Sequence, residues 1–104
     1  QGRFVNNIIA ANGGDGISGA NGRNMTITNN IIVSNGGYGV AVDQAPSPLL
    51  ADNDVWNNQS GSENGNYLGC VPGEGSLSVD PLFMDEANRD YRLQEESPCV
   101  GIIQ

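Results

Sequence analysis

The sequence predicts an all-β solenoid, a coil of short strands in which each repeat of about 23 residues makes one turn. Two nearly identical segments, NNIIAANGGDGIS (6–18) and NNIIVSNGGYGVA (29–41), lie one period apart, and a fixed period of this length is typical of repeat architectures. Asn and Gly recur every few residues, and both disfavour helix interiors. The apolar runs between them are short and β-branched, which favours strands.

The repeat continues into a third copy. The equivalent positions are Phe4/Ile27/Leu50, Asn7/Asn30/Asn53, Ile9/Ile32/Val55 and Asn12/Asn35/Asn58. The match extends through Gly16 with Gly39 and Ile17 with Val40, and the third copy departs at Ser62 and Glu63. We expect one domain with coils at about residues 3–25, 26–48, 49–71 and 74–84, a longer loop near Gln59–Asn66, and a closing segment over 85–104.

β-Hairpins are the competing interpretation, because the four Asn-Gly pairs are typical of hairpin turns. Hairpins do not explain why the same residue types return through three copies. In a coil, equivalent residues stack about 4.8 Å apart and the strands pair in parallel. The glycines at 13–14 and 36–37 then fit turns that need positive φ.

The recurring asparagines predict a structural ladder, in which each side-chain amide bonds to the next coil. Buried polar groups need such partners. The ladder residues are Asn7, Asn30, Asn53, Asn12, Asn35 and Asn58.

The third copy distinguishes the inside of the coil from the outside. Asp54 takes the position of Ile8 and Ile31, so that position is expected to point outward, while its neighbour stays apolar as Val55 and points inward. We expect Asp54 to be a solvated exterior residue and Asp52 to replace a ladder residue, Asn29, at a corner.

The same register predicts an outward apolar stripe, formed by Val5, Ile8, Ile31 and Trp56 together with Ala10 and Val33, which align with Trp56. A contiguous apolar patch usually marks a contact. Either the closing segment folds back over it or another protein does. Tyr38 and Trp56 could also stack on a sugar ring, so Tyr38, Trp56 and Ile31 are the candidate carbohydrate or partner contacts.

The charge is strongly negative: twelve acidic residues face four arginines, with no lysine or histidine, for a net charge of −8. Nucleic acid and anionic membranes call for a basic surface, so neither is an expected partner, and no stretch is apolar enough to span a bilayer. Asp52 and Asp54 are candidate metal ligands at i, i+2 spacing. Calcium, the one cofactor considered, needs six to eight oxygen ligands.

A family resemblance is carried by the pattern Ile27-x-x-Asn30-x-Ile32-x-x-Asn35-x-x-x-Gly39-Val40-x-Val42. It resembles the repeat of right-handed parallel β-helix proteins of the pectate-lyase-like superfamily. The tail segments LSVDPLFMD (77–85) and DYRLQEESPCVG (90–101) resemble the C-terminal end of many secreted bacterial proteins of this kind. The resemblance implies a secreted or cell-surface location and the C-terminal portion of a longer β-helix, or a relative of one.

Enzymes of this superfamily act on acidic polysaccharides with aspartates, using either calcium and an Arg or Lys base, or a nearby His. Without His or Lys, only an arginine could serve as base: Arg3, Arg23, Arg89 or Arg92. We therefore expect a structural or assembly module of a secreted carbohydrate-active type protein, without a complete active site. The alternatives are a small polysaccharide lyase or glycoside hydrolase, and a carbohydrate-binding module.

Two further expectations concern the ends of the coil. Cys70 and Cys99 are compatible with one disulfide, which would pin the closing segment to the third coil. The first coil has no cap, and solenoid ends need one. The chain is therefore expected to form a homodimer, either end to end through the first coil or side by side through the Ile8/Ile31/Trp56 stripe.

Overall fold

A computed structural model describes residues 2–19, 25–42, 48–62 and 64–102. Arg23, one of the four arginines considered as a base, lies outside these residues. Nine parallel strands form the coils: β1 (Gly2–Val5), β2 (Ile8–Ala10), β3 (Ile17–Gly19), β4 (Met25–Thr28), β5 (Ile31–Val33), β6 (Val40–Val42), β7 (Leu49–Ala51), β8 (Asp54–Trp56) and β9 (Tyr67–Leu68). A closing segment follows, with β10 (Phe83–Asp85), a 3₁₀ turn (Glu86–Asn88) and β11 (Asp90–Leu93).

Three stacked parallel sheets make the walls of the solenoid, which confirms the predicted fold class. Sheet A contains β1, β4 and β7, sheet B contains β2, β5 and β8, and sheet C contains β3, β6 and β9. Ile31 pairs with Ile8 on one side and Asp54 on the other. Among the described strands, antiparallel pairing is confined to β10 with β11, so the hairpin interpretation is wrong for the coils.

Paired strands are one repeat period apart, except in sheet C, where the strand of the third coil is shifted along the sequence. There Val40 pairs with Tyr67, so the third coil holds four extra residues between sheets B and C. The extra residues lie where the sequence departs from the repeat. Isolated bridges from Ala51 to Glu74 and from Asp54 to Leu77 then begin a fourth, partial coil.

At each corner beside sheet B, a single residue takes a left-handed backbone conformation with positive φ. Before sheet B these are Asn6, Asn29, Asp52 and Gly75, and after sheet B they are Ala11, Ser34 and Asn57. Asn and Gly tolerate this conformation better than most residues. Asp52 therefore replaces a left-handed corner residue, Asn29, and the prediction that Asn29 is a ladder rung was wrong.

The glycines at 13–14 and 36–37 are absent from the positive-φ residues of the described chain, so that expectation was also wrong. Close packing explains why glycine is needed at two of these positions, Gly36 and Gly37. A Cβ on Gly36 would collide with the carbonyl oxygen of Gly13, and one on Gly37 would collide with the Asp15 carboxylate.

Two apolar clusters hold the molecule together. The interior cluster fills the coil with Ile17, Met25, Ile27, Ile32, Val40, Val42, Leu50 and Val55. The outer cluster lies between sheet B and the closing segment, with Ile31, Val33, Phe83 and Cys99 buried and Ala10, Trp56, Tyr91, Leu93 and Ile102 packed around them. The closing segment thus covers much of the outward stripe. No helix in the described part of the chain is long and apolar enough to cross a membrane.

Candidate functional site

The two predicted metal ligands do not form a shared site. Asp52 is exposed at its corner, whereas Asp54 is fully buried beneath the closing segment. Both oxygens of Asp54 already accept hydrogen bonds within the protein. The described residues contain no group of three or more acidic, cysteine or histidine side chains placed to hold a metal. The structure therefore gives the calcium prediction no support.

Asp54 is the centre of a buried polar cluster that fastens the closing segment, here called the latch and formed by Asp54, Val79, Ser97 and Cys99. The Val79 N–H donates to Asp54 Oδ1 at 3.0 Å, and the Cys99 thiol donates to Oδ2 at 3.0 Å. Ser97 Oγ accepts from the Cys99 N–H at 3.0 Å and donates to the Pro81 carbonyl oxygen. Asp54 does point away from the coil interior, but the prediction that it is solvated was wrong because the closing segment lies over it.

Burial changes the pKa values of the two titratable groups of the latch, the Asp54 carboxyl and the Cys99 thiol. It raises the pKa of Asp54, and the nearby Asp80 acts in the same direction, while the hydrogen bonds from Cys99 and Val79 oppose it. Burial, reinforced by the Asp54 hydrogen bond, raises the pKa of the Cys99 thiol to about 12. Cys99 is therefore a neutral hydrogen-bond donor over the ordinary pH range and a poor nucleophile.

The predicted disulfide is wrong for this structure, in which Cys70 and Cys99 are both free. Cys70 packs against the interior cluster, whereas Cys99 belongs to the outer cluster. The closing segment is therefore held by noncovalent packing and by the latch, and not by a disulfide bond.

The candidate contact residues are only partly available. Ile31 is fully buried under the closing segment, so its side chain is not available to a partner in this structure. The side-by-side homodimer stays a prediction. Trp56 is half-buried in the outer cluster at the end of sheet B. Tyr38 is half-buried in the turn before sheet C, where its N–H donates to Asp15 Oδ1 at 2.7 Å. The two aromatic rings thus belong to different elements.

Arg92, one of the arginines considered as a base, is paired with a carboxylate, which disfavours that role. Arg92 donates to both oxygens of Asp90, with 2.7 Å between Arg92 Nη2 and Asp90 Oδ2, at the exposed surface. This bond raises the pKa of Arg92 and lowers the pKa of Asp90 to about 2. The pair therefore stays ionised, and Arg92 keeps its proton and cannot act as a base.

Both asparagine series form hydrogen-bonded ladders with the same direction. Asn30 Oδ1 accepts from the backbone N–H of Asn7 at 2.9 Å and from its side-chain amide at 3.1 Å. Asn53 Oδ1 accepts the same two bonds from Asn30, at 3.0 and 3.1 Å. The series Asn12, Asn35 and Asn58 repeats the pattern. In every step, the earlier coil donates and the Oδ1 of the next coil accepts.

The first coil carries the end rung of both ladders in the described chain. Its strands β1, β2 and β3 are the end strands of their sheets, each paired on one side. Asn7 and Asn12 are exposed, and within the described residues neither Oδ1 accepts a hydrogen bond. Phe4 and Ile9 are only partly buried against the interior cluster. We call this surface, formed by β1, β2, β3, Asn7 and Asn12, the first-coil edge.

A groove lies beside the first-coil edge, where the closing segment passes sheet B. It has a volume of about 530 Å³ and is lined by Ile8, Tyr91, Arg92 and Leu93. Ile8 is 36% exposed here, although its neighbour in the sheet, Ile31, is fully buried.

A second cavity, of about 280 Å³, is lined by Asn64, Asn66, Tyr67, Pro72 and Ser78. The buried Tyr67 hydroxyl has no hydrogen-bond partner among the described residues. Burial raises the pKa of this hydroxyl.

Sequence reasoning missed the latch. A signal for the latch was present, because an aspartate interrupts an apolar stripe at residue 54 and the chain returns with the motif Ser-Pro-Cys. Neither feature alone indicates that the two segments meet.

Comparison with known proteins identifies the family. Searches of curated proteins and of solved structures found no match. The family model for the right-handed beta helix region matches residues 1–71, which is more than half of the chain. Together with the stacked parallel sheets, this match shows that the chain belongs to the right-handed β-helix family.

Proposed function

We propose that this chain is a structural β-helix module that joins another β-helical segment through its first-coil edge, without a complete active site of its own. The parent is proposed to be a secreted protein of the carbohydrate-active type. That part of the proposal is supported by the resemblance of the repeat and of the tail segments to such proteins.

The observation that carries the proposal is the contrast between the two ends of the coil. At the C-terminal end, the partial fourth coil bridges to sheets A and B, and Asn58 donates to Asn66 Oδ1 at 2.9 Å. At the first-coil edge, all three sheets present an end strand. Unpaired strand edges are templates for pairing with further chain, and a solenoid buries its core by stacking neighbours. In the described chain, one end of this module is therefore covered over sheets A and B, and the other end presents an edge strand in all three sheets.

The alternatives have weaker support. An enzyme of this superfamily needs converging aspartates, and Asp54 is committed to the latch while Asp52 lies apart from it at an exposed corner. A carbohydrate-binding module needs exposed aromatic rings, and Trp56 packs in the outer cluster. A polysaccharide retardation gel checks for binding, and an uronate-absorbance assay with and without calcium checks for lyase activity. A clear signal in either would replace the structural proposal.

The first-coil edge is tested by the association of the full chain in solution. We expect light scattering to show concentration-dependent self-association at micromolar concentrations, because an isolated chain leaves this edge uncovered. Phe4→Asp places a charge in the open layer and should abolish the association. Leu49→Asp is the matched control, since Leu49 is 63% exposed on strand β7, and it should leave the association unchanged.

Two results would contradict the proposal. One is a monomer at every concentration tested, which would mean that the edge is not adhesive. The other is association that Leu49→Asp removes and Phe4→Asp does not, which would move the contact to another face of the coil.

A further inference from the structure

We infer that the closing segment is a hinged lid, whose described residues 81–102 lift away from sheet B as one unit while the coils stay folded, and that the latch at Asp54 controls how often the lid opens. The inference goes beyond the proposed function and does not depend on it, because it concerns a different face of the molecule. The lid is a removable cover of the apolar face of sheet B.

The lid has its own set of internal bonds. Its strands β10 and β11 pair with each other, and neither pairs with a strand of sheets A, B or C. The Gln94 backbone N–H donates to the Leu82 carbonyl oxygen at 2.9 Å, and the Gln94 side chain donates to the Phe83 carbonyl oxygen at 3.0 Å. Ser97 Oγ donates to the Pro81 carbonyl oxygen. These bonds are kept when the lid moves as a body.

The contacts that join the lid to the coils are of a different kind, because they are made by side chains. The outer cluster supplies the apolar contacts. The Cys99 thiol donates to Asp54 Oδ2 at 3.0 Å, and Asn29 Nδ2 donates to the Ile102 carbonyl oxygen at 3.1 Å. Consecutive coils, by contrast, are joined by backbone ladders in all three sheets. The lid is therefore a unit that can open at a lower free energy than the coils.

The hinge lies directly before the lid. Leu77 is tied to the coils, since its carbonyl oxygen accepts from the Val55 N–H at 3.1 Å. The lid begins at Pro81, so residues 78–80 connect the two parts. A few loop residues are enough to absorb the backbone rotation of a hinge. The lid can therefore swing without breaking the bonds of Leu77.

The charge of Asp54 makes the latch sensitive to pH. The carboxyl is fully buried under the closed lid. The Val79 N–H and the Cys99 thiol donate to it, the Asp80 carboxylate acts on it from the same segment, and the Tyr67 hydroxyl interacts with it from the coils. None of these four groups is a cation.

The sign of the pH effect follows from this burial. Burial raises the pKa of Asp54 in the closed protein, so the closed lid binds the proton more tightly than the open lid does. Acid therefore favours closure. As the pH rises above the ordinary aspartate pKa of 3.8, the open state ionises first and opening becomes more frequent.

Opening uncovers the outward face of sheet B. Ile31 and Val33 are fully buried while the lid is closed, and both belong to the outer cluster. The side-by-side homodimer was predicted on this face. Such a contact through Ile31 requires an open lid, so the latch decides whether the face is available to a second copy of the chain.

The test compares opening of the lid with unfolding of the coils in the full chain. Cys70→Ala leaves Cys99 as the single thiol, which reports the lid. The matched control carries Cys70→Ala, Cys99→Ser and Val40→Cys, which places the single thiol at a fully buried position inside the coils. The rate of modification by dithiodipyridine, divided by the rate for the same protein unfolded in urea, gives the open fraction. Far-ultraviolet circular dichroism gives the unfolded fraction of each protein.

We expect the open fraction at Cys99 to exceed the unfolded fraction of the same protein at least about tenfold, with a weaker dependence on urea. The Val40→Cys thiol should react only in proportion to the unfolded fraction. Reaction of Cys99 in that same proportion would overturn the lid. Reaction well above the unfolded fraction at both positions would also overturn it, because the coils would then open together with the closing segment.

The latch is tested by the same measurement between about pH 4 and about pH 7. The open fraction at Cys99 should rise with pH, and the further change Asp54→Asn should remove this rise because an amide does not titrate. Dividing by the rate of the unfolded protein at the same pH removes the titration of the thiol itself. The absence of a rise in the Cys99 protein, or a rise that persists with Asp54→Asn, would overturn the control of the lid by Asp54.

Discussion

The first and second coils have nearly the same sequence and very different surroundings. Asn30 is fully buried and Asn7 is exposed, although they are equivalent residues of one ladder. Ile31 is fully buried and Ile8 is 36% exposed, although they pair directly in sheet B. The sequence of a coil therefore does not decide its burial. The second coil is buried because coils lie on both sides of it and the closing segment lies over its outer face.

The comparison predicts that equal substitutions have unequal effects, and the interior isoleucines should show the largest difference. Ile32→Ala should destabilise the chain by about 2–5 kcal/mol, because it empties a closed core position. Ile9→Ala should cost less than about 2 kcal/mol, since Ile9 is only partly buried in the open layer. Urea unfolding of the two variants measures both. Equal losses would mean that the first coil is as enclosed as the second.

The ladder asparagines provide a polar version of the same comparison. Asn30→Leu should cost about 1–3 kcal/mol, because it removes a buried rung and its donors to the carbonyl oxygens of Phe4 and Thr28. Asn7→Leu should cost less than about 1 kcal/mol, because water can replace the lost bonds at an exposed rung. Chemical denaturation compares the pair, and a larger effect at Asn7 than at Asn30 would contradict the account.

The closing segment is the second cause of the difference between the coils, and its latch predicts a pH dependence. The folded protein holds the Cys99 proton to a pKa of about 12, against an ordinary value of 9.0. The unfolded chain therefore releases this proton first, and stability should fall as the pH rises from about 9 toward 12. Burial also raises the pKa of Asp54, so the stability that this residue contributes likewise falls as the pH rises above the ordinary aspartate pKa of 3.8.

Cys99→Ser is the control for the thiol, because a hydroxyl can still donate to Asp54 and does not titrate in this range. Urea midpoints of both proteins at pH 8, 9 and 10 are to be compared. Each protein loses stability through other groups, so the informative quantity is the difference between them. A difference that does not change with pH would show that Cys99 is not held as a buried thiol.

The elements that could be predicted from the sequence are those that repeat. The period, the parallel register and both asparagine ladders follow from residues that return at equivalent positions, such as Asn30 and Ile32. Their environment is generated by their own neighbours in the stack, so a local pattern contains the necessary information.

The errors concern residues whose surroundings come from a distant, non-repeating part of the chain. Asp54 was expected in solvent and is buried, because Val79 and Cys99 reach it from the closing segment. Ile31 is buried for the same reason, because residues of the closing segment pack over it. The disulfide failed because the pairing of two cysteines depends on which side of a sheet each one occupies, and the repeat carries no information about that. The positive-φ positions lie on Asn29 and its equivalents because the coil turns before the ladder residue and not at the glycines.

The central claim is that the first coil, unlike the second, is an exposed end layer of the described solenoid, and amide hydrogen exchange tests it most directly. The N–H groups of Asn7 and Asn30 make the same bond, to Asn30 Oδ1 at 2.9 Å and to Asn53 Oδ1 at 3.0 Å. After correction for intrinsic rates, the Asn7 amide of the dilute chain should exchange at least about tenfold faster, which corresponds to about 1.4 kcal/mol in local opening free energy. Equal protection of the two amides would contradict the account, because it would mean that the first coil is already covered.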